Sequence, residues 1–354
     1  MTKRLVIFGL SISSSWGNGH AIPFRGLCQE LHARDWQITF FERDVEWYRS
    51  NRDLSAPDYC DLRLYDGWPA AAAEVQQSDA VLVGSLVPNG ADILDWLATV
   101  NRPLYFYDID TPITLTGLRA ARRADYLRAD QIPKFDVYFS FTGGPALTEL
   151  EQVWGARRAE ALYCAVDPTL HRPRPVDQRF ECLLGYMGTY AADRQPRLEA
   201  LLVDTARNRP RDQFMIAGPQ YPPMDLPPNV THEIHLYPRD HAAFYSSNTA
   251  TLNLTRDAMR RYGWSPASRL FEAAACGACI ISDRWPGLEE LLEPDTEILL
   301  ADSRREVEAH LDSLTPARRA KLGQAARNRI LREHTFARRA QQVEHALGLW
   351  ASAS

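Results

Sequence analysis

Residues 5–10 read LVIFGL, a short continuous apolar run. A run of that kind suits a strand buried on both faces, as in a parallel sheet covered by helices. A polar, glycine-containing stretch follows at 11–19. Phe24, Leu27, Cys28 and Leu31 then recur at i, i+3, i+4 and i+7, one face of a helix. The same strand–loop–helix unit repeats down the chain. Strands are expected at 38–41, 80–84, 103–107, 137–141 and 162–165, with helices between them. One helix opens at Pro145 after Gly143-Gly144. The segment HRPRPVDQR that begins at His171 is rich in proline and charge and has no apolar period, so it reads as a linker. Strands resume at 182–187, 214–217, 251–254, 279–282 and 298–300, and an Arg-rich helical tail starts near residue 316. Alternation in two halves predicts an α/β chain with two doubly wound Rossmann-like domains facing a cleft. The expected division is 1–170, a linker at 171–180, 181–335, and a C-terminal helix at 336–354. In that helix Phe336, Ala340, Val343 and Leu347 follow the helical period, and its arginines are expected on a solvated face.

Composition narrows the function. The 354 residues are 45% hydrophobic and 24% charged, as in an ordinary globular protein of two domains. A net charge of −5 argues against binding along a nucleic-acid duplex, which needs clustered basic charge. No run of about 18 apolar residues exists, so no membrane span is expected. The N-terminal apolar run leads straight into a Ser/Gly loop and reads as a strand rather than a signal peptide. Six scattered cysteines in apolar surroundings suit a reducing, cytoplasmic setting. Cys276 and Cys279 have CxxC spacing, but no second pair accompanies them, and no metal site is expected.

Loops after strands carry the chemistry in such sheets. In SPASRLFEAAACG, Ser265 is a candidate N-cap, Pro266 a first-turn residue and Gly277 a stop. Ser268, Arg269 and Glu272 share one face, opposite Leu270, Ala273 and Ala274. The carboxylate suits the vicinal diol of a ribose, and the guanidinium suits a phosphate. The competing reading is a solvated Arg–Glu pair on a surface helix. Gly188, directly after a strand, lets backbone approach a ligand. In the first half Gly17 and Gly19 flank Asn18, offering backbone N–H groups to a phosphate or sugar hydroxyl. His20 opens the next helix, and its side chain suits proton transfer near neutrality. Asp108 and Asp110, just after the strand at 103–107, fall on the same edge and could orient His20 or touch a sugar.

These segments resemble a known family. EAAACGACIISD is similar to the EAMACGxPVVASD segment of GT-B glycosyltransferases of the glycogen-synthase-like group. RLFEAAACG, with GYMGTY, TLNLTR and GNGH, resembles the CgeB-like (spore-maturation-protein-like) branch over nearly the whole chain. The resemblance implies a GT-B fold in which Glu272 binds the donor ribose. It implies that 188–194 corresponds to the diphosphate-clamping G-R-L-x-x-x-K. Thr189 then stands in for the arginine and Arg194 for the lysine, with Arg256 or Arg269 supplying the lost charge. His235 and Leu236 fall where the family reads its nucleobase. Gly19, His20 and Pro23 match the GHxxP acceptor loop of inverting members, where the histidine is the general base. The C-terminal helix would return to the N-terminal domain. Trp264 stands eight residues before Glu272, where the family often has a second glutamate.

The implied function is metal-independent transfer of a sugar, hexosyl or related, from a nucleotide-diphosphate sugar to a hydroxyl acceptor. The nucleotide sugar is a co-substrate, and no cofactor or nucleic-acid partner is expected. A sugar-nucleotide epimerase of the same fold and a catalytically inactive nucleotide-sugar-binding partner are the alternatives. Base, sugar, acceptor, stereochemistry and oligomeric state stay open.

Overall fold

A computed structural model describes residues 3–16 and 19–351. The chain forms two units, one of Met1–Tyr163 with Phe336–Ser354, the other of Cys164–Thr335. No helix among the described residues is long and apolar enough to cross a membrane.

The first unit holds strands β1 (Lys3–Gly9), β2 (Trp36–Arg43), β3 (Asp61–Tyr65), β4 (Ala80–Gly84) and β5 (Leu104–Asp108). A small antiparallel hairpin follows, β6 (Arg123–Ala124) with β7 (Leu127–Arg128), and then β8 (Val137–Ser140) and β9 (Ala159–Ala161). Seven of them make one parallel sheet in the order β3-β2-β1-β4-β5-β8-β9. The central strands β4 and β5 are buried along their whole length, which is why they read as unbroken apolar runs. β3 is largely exposed, and its sequence DLRLY gives no such run. The strand expected at 162–165 is displaced. β9 ends at Ala161, opposite Ser140, where β8 runs out. Leu162 N still donates to the Ser140 carbonyl at 2.7 Å, but Cys164 and Ala165 are buried beyond the ladder, so their apolar character marks burial rather than strand.

Phe24, Leu27, Cys28 and Leu31 of the helix Ala21–His32 pack on this sheet, and Ala340, Val343 and Ala346 of the helix Phe336–Ala351 join the same core. The contact depends on Gly26, since a Cβ there would lie 2.3 Å from the Phe336 ring. Glu344 fixes the same helix from the other side, accepting from Trp36 Nε1 at 3.0 Å and pairing with Arg34 at 3.4 Å. The solvated arginine face expected here is only partial. Arg338 is exposed, but Arg339 is buried and donates to the Tyr163 carbonyl at 2.8 Å.

The second unit holds β10 (Leu184–Met187), β11 (Phe214–Ala217), β12 (Val230–Glu233), β13 (Ala250–Asn253), β14 (Ile280–Ser282) and β15 (Leu299–Leu300). They form a parallel sheet in the order β12-β11-β10-β13-β14-β15. The segment 171–180, expected to link the domains, is a strap on this unit, and the division falls earlier, between Tyr163 and Cys164. Arg174 N donates to Ser246 Oγ at 3.0 Å and Asp177 N to Ser247 Oγ at 2.9 Å. Phe180 is buried against Phe244. The prolines break the apolar period, but the backbone still finds partners on the helix Pro238–Ser247.

Both sheets reverse their winding once, the first between β1 and β4, the second between β10 and β13. The loops leaving those strand pairs diverge, and such switch points are where doubly wound sheets hold ligands. From the Phe336 contact, Gly26→Ala is expected to destabilise the chain by about 1–3 kcal/mol, the usual cost of overpacking. Urea denaturation measures it, and an unchanged midpoint would mean that the ring swings aside freely.

Candidate functional site

In the second unit the switch-point loop after β10 carries Gly188. A Cβ at Gly188 would come within 2.7 Å of Arg269 Nη2, so only glycine leaves that guanidinium its place. Gly218 (φ +148°), in the loop after β11, backs the same turn, and a Cβ there would lie 2.2 Å from the Gly188 carbonyl oxygen. Tyr221 donates its hydroxyl to that oxygen at 3.0 Å. Arg194 and Arg269 converge on Tyr186, with their guanidinium carbons 5.8 and 5.4 Å from the ring centroid. Arg194 is buried and donates to the carbonyl of Thr189, whose side chain is exposed. Arg269 donates to the Leu254 carbonyl at 2.8 Å. Among the described residues neither arginine forms an ion pair. Burial, with repulsion from Arg269, holds Arg194 below the usual guanidinium value. Burial works against Arg269 too, but Tyr186, Tyr245, Glu272 and Tyr221 hold it above the usual guanidinium value. Two cations close together and without an ion pair favour an anion there.

Of the two residues expected to supply the second charge, Arg269 joins Arg194. Arg256 is more exposed, follows β13 and pairs with Asp193 at 3.5 Å. Asp283 braces that loop by accepting Thr255 N at 3.2 Å, and Arg197 approaches it at 3.5 Å.

The helix holding Glu272 spans Ser268–Ala275, and its N-cap is Ala267 rather than the expected Ser265, because Ala267 keeps an extended backbone. Gly277 ends it as expected, with φ +72°. Ser268 is exposed on the first turn. Glu272 faces Tyr245, whose hydroxyl donates at 3.4 Å, and His241, whose Nδ1 lies 3.9 Å away. It forms no pair with Arg269, so the solvated Arg–Glu alternative does not describe this helix. Trp264 occupies the place of the missing second glutamate and lies over Gly287, whose Cβ would meet its ring at 2.4 Å. After β12, Leu236 is buried and His235 is exposed edge-on to Tyr237. Cys276 and Cys279 are free, and burial pushes both thiols up to about 12. At that value they are neither good nucleophiles nor good metal ligands at neutral pH. Sequence reasoning missed Tyr186, Tyr245 and His241, although Tyr186 stands inside GYMG.

In the first unit Gly17 lies outside the described residues. Gly19 is exposed, and a Cβ there would meet nothing within 4 Å. His20 is buried at the start of the helix Ala21–His32, with Nε2 2.8 Å from Asp110 Oδ2. Asp110 keeps 19% of its side chain exposed and also accepts Ser85 Oγ at 2.8 Å. These three residues come from the loops after β1, β4 and β5, which meet at the switch point. Buried Glu42 fixes the first of those loops, accepting Ile12 N at 2.7 Å, Ser13 N at 2.9 Å and Ser13 Oγ at 2.6 Å.

Asp108 is a correction. It was expected on the ligand-facing edge beside Asp110, but it is wholly buried. As the last residue of β5 it turns beneath the edge, where it accepts from Tyr138 Oη at 2.6 Å, Thr114 Oγ1 at 2.8 Å and Asp110 N at 3.1 Å. It braces the loop from beneath.

Burial raises Asp108 to about 7 and Asp283 to about 6, both from 3.8. Each group binds its proton more tightly folded than unfolded. Its contribution is complete below the unfolded value and is lost as pH rises through the folded one. The melting temperature is therefore expected to fall between about pH 4 and pH 7, and Asp108→Asn should flatten that slope. Calorimetric scans across the range check this, and an equal slope in the variant would remove Asp108 as its source.

Residues 194–345 match the family model described as "Glycosyl transferase-like". Among curated proteins none matches the chain by sequence. Solved structures match along its whole length. Sucrose-phosphate synthase from Thermosynechococcus elongatus is 14% identical with a TM-score of 0.71, over 99% of this chain and 100% of that one. Anabaena HepE, solved with UDP and glucose, is 12% identical with a TM-score of 0.69, over 98% and 99%. An alpha-glucosyltransferase, solved with UDP and a DNA 13-mer, is 12% identical with a TM-score of 0.71, over 98% and 100%. The likeness is one of fold, and the chain has the GT-B fold of glycosyltransferases, built from two Rossmann-like domains with parallel sheets.

Proposed function

We propose that this protein is a glycosyltransferase that moves a sugar from a nucleoside diphosphate sugar, with uridine as the base, to a hydroxyl acceptor. The observation that carries the reading is the Arg194–Arg269 pair on Tyr186, a doubly cationic site beside Gly188 in which neither arginine forms an ion pair among the described residues. A departing nucleoside diphosphate is the anion such a site suits. The match of 194–345 to a glycosyltransferase family model supports it. The UDP named with two of the similar structures supports the choice of base.

In the transfer, the bond from the sugar's anomeric carbon to the phosphate oxygen breaks, and a bond to the acceptor oxygen forms. Negative charge grows on the departing diphosphate, where Arg194 and Arg269 stabilise it. Guanidinium groups in that role make a divalent ion at the phosphates unnecessary. Glu272 accepts the ribose hydroxyls, and the loop at His235 and Leu236 borders the base. Arg256 adds positive field from beside Asp193. In the first unit, His20 and Asp110 together take the acceptor's hydroxyl proton and release it to water. Ser85 holds Asp110 in place. An epimerase would need two carboxylates beside the sugar, and the burial of Asp108 removes one of the pair that kept that alternative open.

UDP at about 100 times its dissociation constant should stabilise the chain by about 2.7 kcal/mol. At roughly 2–4 °C per kcal/mol this gives a shift of several degrees. Arg194→Ala and Glu272→Ala should each lose most of it, and a full shift in both would sink the donor-site assignment. Separately, His20→Ala and Asp110→Asn should lower turnover by roughly 10²-fold or more while UDP affinity holds. Normal turnover in either would take that residue out of the proton transfer.

A further inference from the structure

His171, His241 and Glu272 each bring one donor atom within 4.8 Å of the others. The strap before β10 supplies His171, the helix Pro238–Ser247 supplies His241, and the helix Ser268–Ala275 supplies Glu272. The hydrogen bonding around them favours ligation. His241 Nε2 meets the Leu236 carbonyl at 3.3 Å. A carbonyl only accepts, so Nε2 carries the proton and Nδ1 keeps its lone pair. That nitrogen is the one facing Glu272 Oε2, at 3.9 Å. A backbone carbonyl fixing the far nitrogen is the usual support of a metal-binding imidazole. His171 Nδ1 is buried with no hydrogen-bond partner among the described residues. Among the described residues Glu272 accepts one hydrogen bond, the long one from Tyr245. One donor atom from each of the three side chains thus lies close to a common point.

We propose that His171, His241 and Glu272 bind a divalent transition-metal ion, zinc foremost, with water completing the coordination. Two imidazoles and one carboxylate form a ligand set that zinc takes with an open fourth position. Cobalt and nickel suit the same nitrogens, whereas magnesium prefers oxygen alone. Bonds of about 2.0–2.1 Å place tetrahedral ligand atoms roughly 3.3 Å apart. Closing the cluster from its present spacing takes up to roughly 1.5 Å at the widest pair. Glu272 is also the residue assigned above to the ribose. On that reading alone, ion and nucleotide exclude one another, and the ion inhibits transfer.

The test is a Co²⁺ titration of the full chain followed by visible absorption, with Zn²⁺ and Mg²⁺ as competitors and UDP binding measured by calorimetry in chelator. One equivalent of cobalt should give saturable d–d bands without thiolate charge-transfer absorption. Zinc should abolish them, and excess magnesium should not. His171→Ala and Glu272→Gln should each weaken cobalt binding by roughly ten-fold or more, while Arg194→Ala leaves it unchanged. Absent bands in the wild-type chain, or equal binding in both ligand variants, would overturn the proposal. UDP binding without cobalt bands overturns the ion site and leaves the donor reading standing. Cobalt bands without UDP binding overturn the donor reading alone.

Discussion

A parallel strand covered on both faces has nowhere to show its side chains except its ends. In both units the central strands are buried along their whole length, so chemistry is confined to the loops leaving their carboxyl ends. The reversal of strand order then selects among those loops. In the first unit it gathers residues after β1, β4 and β5, bringing His20, Ser85 and Asp110 together. In the second it gathers Gly188, Arg194 and Arg256 from the loops after β10 and β13, and Arg269 reaches in from the following helix.

Charge is divided between bracing and binding. Three buried carboxylates, Glu42, Asp108 and Asp283, spend their oxygens on backbone N–H groups and hydroxyls of the functional loops. They fix loop shape from below, at the desolvation cost visible in Asp108 and Asp283. The cations work the other way. Arg194 and Arg269 both lie near the Tyr186 ring, hydrogen-bond to backbone carbonyls and form no ion pair among the described residues. Under the proposed function, the anion they meet is the departing diphosphate.

The sequence made the fold legible wherever burial was two-sided. β4 and β11 match their apolar runs residue for residue. β3 escaped because an exposed edge strand needs no apolar residues, and 162–165 misled because a buried coil has the same composition as a strand. Site residues were legible one at a time but not in their pairings. Arg269 and Arg194 were each singled out, yet their convergence depends on Tyr186 and on the closing of the sheet between them. Asp108 and Asp110 looked equivalent two residues apart. Only the fold separates the strand's last residue, turned inward, from the next helix's cap. His171 was hidden by its prolines and His241 by an ordinary helical period. Their meeting at Glu272 joins three segments that no local pattern connects.

The seating of Phe336 against Gly26 has a consequence for how the chain comes into being. The first helix is covered by the last, more than three hundred residues later in synthesis. The second unit is a single continuous segment and can close on itself as it leaves the ribosome. The first unit cannot finish its core until the final helix has emerged, so its earliest-made half waits longest with an apolar helix face uncovered. Chaperone dependence and sensitivity to C-terminal truncation should therefore concentrate in the half of the protein that is translated first.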